Sequence, residues 1–198
     1  MAYTFNGATI LAPLSITSNQ PIYETDTVSL SKQRASQGAQ RWELSFTTVT
    51  TENTEADMLV GMVTGLATSD TMVMPQIPSA ANNNTATTTQ VIDANVAAGL
   101  SLVTIVSDGI IKKGSFIKFS NHDKLYMVTA DVAASVALAP VNVNIYPSLR
   151  TAVTTAHTLL TGSSAVLTYY RDIDTTQGLK FTDGIISSVG SISLVEAI

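Results

Sequence analysis

The chain contains no cysteine. That excludes disulfides, thiolate nucleophiles and cysteine-ligated metals, and leaves the compartment undetermined. Charge is also scarce. Only 13% of the 198 residues are Asp, Glu, Lys or Arg, against about a quarter in a typical soluble domain. A chain this poor in charge and rich in Thr, Ser, Ala, Val and Asn is expected to bury much of its surface against neighbours. Basic runs are missing too, the densest cluster being Lys112-Lys113, and the formal net charge is −5. Sequence-specific nucleic-acid binding needs phosphates neutralised by Lys and Arg, so that class is disfavoured. An acidic surface can still face DNA without holding it. No apolar run approaches the roughly 20 residues that span a bilayer, so no membrane insertion is expected. Met1–Leu11 has no basic start ahead of its apolar stretch and does not read as a signal peptide. The expectation is a soluble protein made in a cytoplasm.

What is present points to β-structure with a sizeable core, since 45% of the residues are hydrophobic. Ala2–Leu14 alternates loosely, and Gln20–Tyr23 with Pro21 reads as a turn. Glu24–Lys32 places Val28 and Leu30 on one face of a half-buried strand. Ser31–Gln40 is polar and reads as a hairpin-like loop. Arg41–Thr50 is the clearest strand of the first half, with Trp42, Leu44 and Phe46 on one face. The period then changes. Asn53-Thr54 ahead of Glu55 and Asp57 is a helix start, and Met58, Leu59, Met62, Val63 and Leu66 follow at helical spacing. Thr71–Met74 is a short apolar run that stops at Pro75 and Pro78.

Ser79–Thr89 is Asn/Thr-rich without periodicity, and is the best linker candidate. Beyond it come short strands: Gln90–Ile92, Leu100–Val106, one leading from Gly114 through Phe116–Ser120, Leu125–Thr129 and Val141–Ile145. Asn121-His122-Asp123-Lys124 is the polar turn between two of them. Five or so short strands between 87 and 163 suit a small OB-like barrel. Ala165–Tyr170, Leu179–Thr182 and Ser191–Glu196 return to the style of the first half. The predicted fold is therefore mainly β. A β-sandwich with one helix, residues 1–86 plus 164–198, is interrupted by an inserted small OB-like β-barrel, residues 87–163. The ends of such an insertion must lie close together.

Candidate chemistry is thin. Asp172-Ile173-Asp174 resembles the start of a calcium loop, but Gly178 sits at the wrong place and no Glu closes it. The only histidines are His122 and His157. Neither has a nucleophile or orienting carboxylate in view, for Asp123 is merely adjacent to His122. Glu52, Glu55 and Asp57 fit the charge of a helix start better than a glycosidase pair. No phosphate-cradling loop or serine elbow is present. No catalytic, cofactor or metal residue is assigned, and an enzyme is not expected. Trp42, Tyr126, Tyr146, Tyr169 and Tyr170 are candidate stacking platforms of the kind an OB-like barrel uses, with Trp42 reading rather as sandwich core. Tyr126, on a strand of the barrel, is the aromatic best placed to contact a ligand, with His122 beside it, although core packing is the favoured reading for Tyr126.

Several ordered stretches carry a family likeness. They are Gln40-Arg41-Trp42-Glu43-Leu44-Ser45 with a helix after it, Met72–Pro78, Lys113–Tyr126, Asn144-Ile145-Tyr146-Pro147-Ser148-Leu149, and the closing Ser191–Ile198. In these the chain resembles a distal tail protein of long-tailed bacteriophages, of the variety with a β-sandwich ring domain and an inserted OB-like domain. The likeness spans nearly the full length and is strongest over 112–150 and at the C-terminus. The first residues and the Asn/Thr-rich stretch at 79–89 depart from the pattern. The resemblance implies a structural virion protein at the tail tip. Such proteins form a homohexameric ring that joins the tail tube protein to the tip hub protein and offers attachment for tail fibres. The sandwich lines the ring and the barrel projects outward. DNA passes through the ring without sequence-specific binding. The alternative is a carbohydrate-binding module contacting host surface glycans. An exposed aromatic cluster on the barrel favours that alternative, and flat, charge-poor side faces favour the ring.

Overall fold

The computed structural model describes residues 3–5, 8–26, 32–36, 39–49, 68–172, 180–182, 185–188 and 191–198. The helix expected over 53–66, with Glu52, Glu55 and Asp57, lies outside the described residues, as do Val28 and Leu30.

The chain is mainly β, combining sandwich-type sheets with a small closed barrel. Sixteen strands are described. They are β1 (Thr4–Phe5), β2 (Ala8–Asn19), β3 (Ile22–Asp26), β4 (Lys32–Ser36), β5 (Arg41–Val49), β6 (Asp70–Val73), β7 (Thr89–Ile92), β8 (Leu102–Val106), β9 (Phe116–Phe119), β10 (Leu125–Val128), β11 (Val141–Tyr146), β12 (Thr158–Thr161), β13 (Val166–Arg171), β14 (Lys180–Thr182), β15 (Ile185–Ser188) and β16 (Ile192–Glu196). The α-helix among the described residues is the single turn α1 (Pro78–Ala81), started by Pro78, whose fixed φ and missing N–H suit a first helical position.

Contacts divide the chain into two compact units, Met1–Asp70 with Tyr169–Ala197, and Thr71–Thr168. The barrel unit is thus wider than the 87–163 expected from sequence, because side chains of 71–86 bond to barrel backbone. Gln76 accepts from Phe116 N at 2.7 Å and donates to Phe116 O at 3.2 Å, standing in for a strand neighbour. Asn84 accepts from Lys112 N at 2.7 Å and donates to Ser115 Oγ at 2.9 Å. The Asn/Thr-rich stretch is therefore a hydrogen-bonded part of the barrel unit and not a free tether. Gly109 makes this possible, since a Cβ there would lie 2.4 Å from Ala86 N.

A six-stranded sheet runs in the order β1-β2-β5-β16-β13-β6. In the first unit β5 carries out the expected alternation, burying Trp42, Leu44 and Phe46. Antiparallel β16 sets Leu194 opposite Leu44 and Ile192 opposite Phe46. Phe5 closes on Phe46 edge to face, with centroids 5.4 Å apart. β14 and β15 form a separate pair, and so do β3 and β4. The last pair corrects the loop expected over Ser31–Gln40. Lys32–Ser36 is a strand because it pairs with Ile22–Asp26, and Glu24 reaches Lys32 Nζ at 2.6 Å and Arg34 Nε at 2.7 Å across the ladder.

In the second unit the barrel closes in the order β10-β11-β8-β7-β12-β9, with every pairing antiparallel. It has six strands, one more than an OB barrel. Period-two alternation sends Val103 and Ile105 of β8 and Val143 and Ile145 of β11 inward, where they meet Ile117, Phe119, Tyr126, Val128 and Leu159 in one core. The sixth strand, β12, was not expected; it pairs with both β7 and β9 and so closes the ring.

Candidate functional site

The residues singled out for ligand contact, Tyr126 and His122, meet at one corner of the barrel. Strand β10 points Tyr126 inward and buries it completely. Its ring packs on Phe119 at 5.4 Å and on the His122 imidazole at 5.6 Å. Its hydroxyl accepts from Arg150 N at 3.0 Å. The phenol proton is then free for His122 Nε2, 2.8 Å away. That leaves the imidazole proton on Nδ1, which meets Asn121 Oδ1 at 2.8 Å. Asn121 in turn donates its amide to Ala152 O at 3.0 Å. Every polar atom of this chain has its complement, so it locks the 121–124 turn to the segment 150–152.

The electrostatics agree. Burial pushes the His122 imidazole down to about 4, helped by Lys118, Arg150 and His157 and opposed by Asp123. Desolvation disfavours the charged ring, and the neutral tautomer is the one the network needs. Lys118 Nζ bonds Asp123 at 2.7 Å and holds its carboxyl below the usual range. Tyr126 thus offers no open ring face for stacking; its aromatic surface is spent on the core. Lys124 of the same turn is buried as well.

The other residues considered are dispersed. His157 caps its own turn, with Thr154 N donating to Nδ1 at 3.0 Å. Trp42 is buried in the first unit, where its backbone N–H donates at 3.1 Å to the buried Glu196 carboxylate. Tyr169 is buried with its hydroxyl 3.4 Å from Asp70, and burial pushes its phenol well up. Tyr170 is exposed and Tyr146 half-buried. Asp172 N donates to Ser193 O at 3.1 Å, while Ile173 to Gly178 lie outside the described residues. No group of three or more His, Asp or Glu arranged to hold a metal occurs among the described residues.

The outward surfaces say more than the interior. All five residues of β3 are exposed, including Ile22 at 53% and Tyr23 at 68%. Sequence reasoning missed two features. Strands β7, β8, β11 and β12 contain no charged residue, and the segment Val132–Asn142 that leads into β11 contains none either. The signal was available as an apolar run, ASVALAPV, without strand alternation.

Comparison with models of known protein families finds none that matches this chain, and comparison with curated proteins finds no relative.

Proposed function

We propose that this chain is a structural virion protein at the distal end of a phage tail. It forms a hexameric ring that joins the tail tube to the tip hub and gives fibres a place to attach. The observation that carries this reading is the β3–β4 hairpin. Among the described residues it pairs with no further strand, and every position of β3 is exposed, with Ile22 and Tyr23 among the most exposed large apolar residues. A lone two-stranded ribbon is marginal in water and becomes stable when another sheet takes it up. A ring of identical subunits supplies such a sheet at each heterologous interface. The low charge density of the whole chain supports the same reading, because interface cores are depleted in charge. The subunit number comes from the family resemblance. The net charge of −5 suits a channel that DNA crosses without sticking.

The carbohydrate-binding reading has less support, because Tyr126 is enclosed in the core and an aromatic stacking platform must be open. The test is light scattering followed by negative-stain imaging, alone and after mixing with the tube and hub proteins of the same virion. Rings with a central hole are the expected product. They should vanish when Ile22 and Tyr23 are both replaced by Asp. A monomer under every one of these conditions would overturn the reading.

A further inference from the structure

The connection between β11 and β12, residues 147–157, is fastened along two flanks of different chemistry. Towards 95–100 the bonds run between groups that do not titrate. Leu149 N donates to Leu100 O at 2.8 Å and Gly99 N to Leu149 O at 2.7 Å. Val96 and Val153 exchange backbone bonds at 2.9 and 3.0 Å, and Thr155 N donates to Asn95 Oδ1 at 3.1 Å. Towards 121–126 the loop is held by the histidine corner. Arg150 N donates to the Tyr126 hydroxyl, whose own proton goes to His122 Nε2. Asn121 joins the same ring to Ala152 O. Beyond the loop, Ser120 N donates to Thr158 O and Thr158 N to Ser120 Oγ, both at 3.0 Å, which sets a fixed end.

The chain has two histidines, and both serve this one loop as hydrogen-bond acceptors. His122 Nε2 accepts the phenol proton. His157 Nδ1 accepts from Thr154 N at 3.0 Å, while His157 N donates to Thr154 O at 3.0 Å. An imidazole accepts only when neutral, because both nitrogens of the cation are donors. Histidine is also the side chain whose ordinary charge change falls between pH 5 and 8. Acid therefore removes an acceptor from each histidine and leaves the 95–100 flank untouched. Once His122 Nε2 carries a proton, the Tyr126 hydroxyl has no acceptor there for its own.

We propose that residues 147–157 form an acid-released strap, which parts from the 121–126 corner when His122 and His157 are protonated while the 95–100 flank and the barrel ladders hold. Opening wets the part of the core where Leu149 and Val153 of the loop are buried in one cluster with Phe119 and Tyr126. The surrounding charges favour release once the His122 ring is charged. Lys118 of β9 and Arg150 and His157 of the loop all oppose a cation there. Asp123 of the turn favours one, but Lys118 already bonds it at 2.7 Å. Lys124 is the other titratable group of the turn and is buried. The phenol of Tyr126, on β10, stays protonated throughout this range. The strap uses barrel residues only and does not rest on the tail-ring reading.

The test is amide hydrogen exchange of the full chain by NMR at pH 7 and pH 5, each rate divided by the intrinsic rate at that pH. A ring titrating near 6.5 when released and near 4 when held shifts the open-to-closed ratio by about twentyfold at pH 5, and half-burial lowers this to about tenfold. Protection of Arg150 N–H should therefore fall about tenfold, and that of Thr154 N–H should fall with it. The neighbouring amides of Leu149 and Val153, bonded to the other flank, should keep their protection, as should the β8–β11 ladder. His122→Gln should flatten the fall at Arg150, and His157→Gln the fall at Thr154. The wild-type pattern decides the matter even if either variant folds poorly. Unchanged protection at Arg150 and Thr154 overturns the proposal. So does an equal loss at Leu149, Val153 and the ladder, which means that acid loosens the whole unit, or a fall at Arg150 that persists in a folded His122→Gln.

Discussion

Protonating His122 should cost this protein stability, and the size can be worked from the corner it occupies. The imidazole titrates near 6.5 when free and near 4 in the fold, chiefly because burial penalises its charged form. Between those values the unfolded chain binds more protons than the folded one, so stability rises with pH across that window. The contribution is complete above about 6.5 and is lost as pH falls towards about 4. At about 1.4 kcal/mol per pKa unit the full shift corresponds to about 3 kcal/mol. His122 is only half-buried, and solvent screening reduces this to about 1–2 kcal/mol. There is also a geometric component. A doubly protonated ring cannot accept from Tyr126, whose hydroxyl already takes the Arg150 N–H. The assay is urea unfolding by circular dichroism at intervals from pH 7 to pH 4.5, for wild type and His122→Gln. The variant removes the titration and leaves Asp108 and Asp131 in place. Hydrogen bonds from Thr87 and Lys112 hold those two carboxyls low, so their contribution is lost only below about pH 4, in both proteins alike. The difference between the two proteins should shrink by about 1–2 kcal/mol on acidification. Parallel profiles, or a His122 resonance titrating near 6.5 by NMR, would refute the argument.

Three further outcomes follow from the packing. Tyr126→Phe keeps the ring in the core and strands Arg150 N and His122 Nε2, so unfolding by heat should report a loss of about 1–2 kcal/mol; no loss would mean that water satisfies both groups. Gln76→Leu removes the amide that serves Phe116 N and O. It should cost about 2 kcal/mol in a denaturant titration, most of it for the buried N–H left unpaired. Gly109→Ala drives a methyl into the Ala86 backbone and should cost about 1–3 kcal/mol, with amide exchange speeding up over 84–90 before anywhere else. A variant as stable as wild type would show that the 85–86 segment moves aside freely.

Where apolar residues alternate with polar ones, strands could be read directly from the chain. Trp42, Leu44 and Phe46 in β5 and Val143 and Ile145 in β11 are buried as that alternation predicts. Strands specified by their partners could not be read. Lys32–Ser36 has the composition of a loop and becomes a strand through cross-strand pairing to β3 and to Glu24. Thr158–Thr161 was hidden beside His157, and only barrel closure between β7 and β9 explains it. The Asn residues at 82–84 signalled a linker, yet Asn84 spends its amide on barrel backbone. Alternation also leaves open which face a tyrosine takes. Tyr126 was placed on the right strand, but its enclosure depends on Phe119 and Arg150, which are remote from it in sequence or beyond a turn.

The hydrogen bond from Met74 N to Ala165 O, at 2.9 Å, belongs to a set of contacts with a kinetic consequence. Strands β5 and β16 are central neighbours in their sheet, yet Ser45 and Ser191 are 146 positions apart. Joining them across an unstructured chain means closing a very long loop. A barrel that has already formed, with its two ends clasped at Met74 and Ala165, removes most of that loop and lowers the closure cost by about 1 kcal/mol. The barrel therefore acts as a clasp on the rest of the chain, and the sheet holding Trp42 should assemble after it. Trp42 is the only tryptophan and sits in the later unit. Its fluorescence in a refolding experiment should recover after amide protection appears in β8 to β11, and the reverse order would show that the sheet closes unaided.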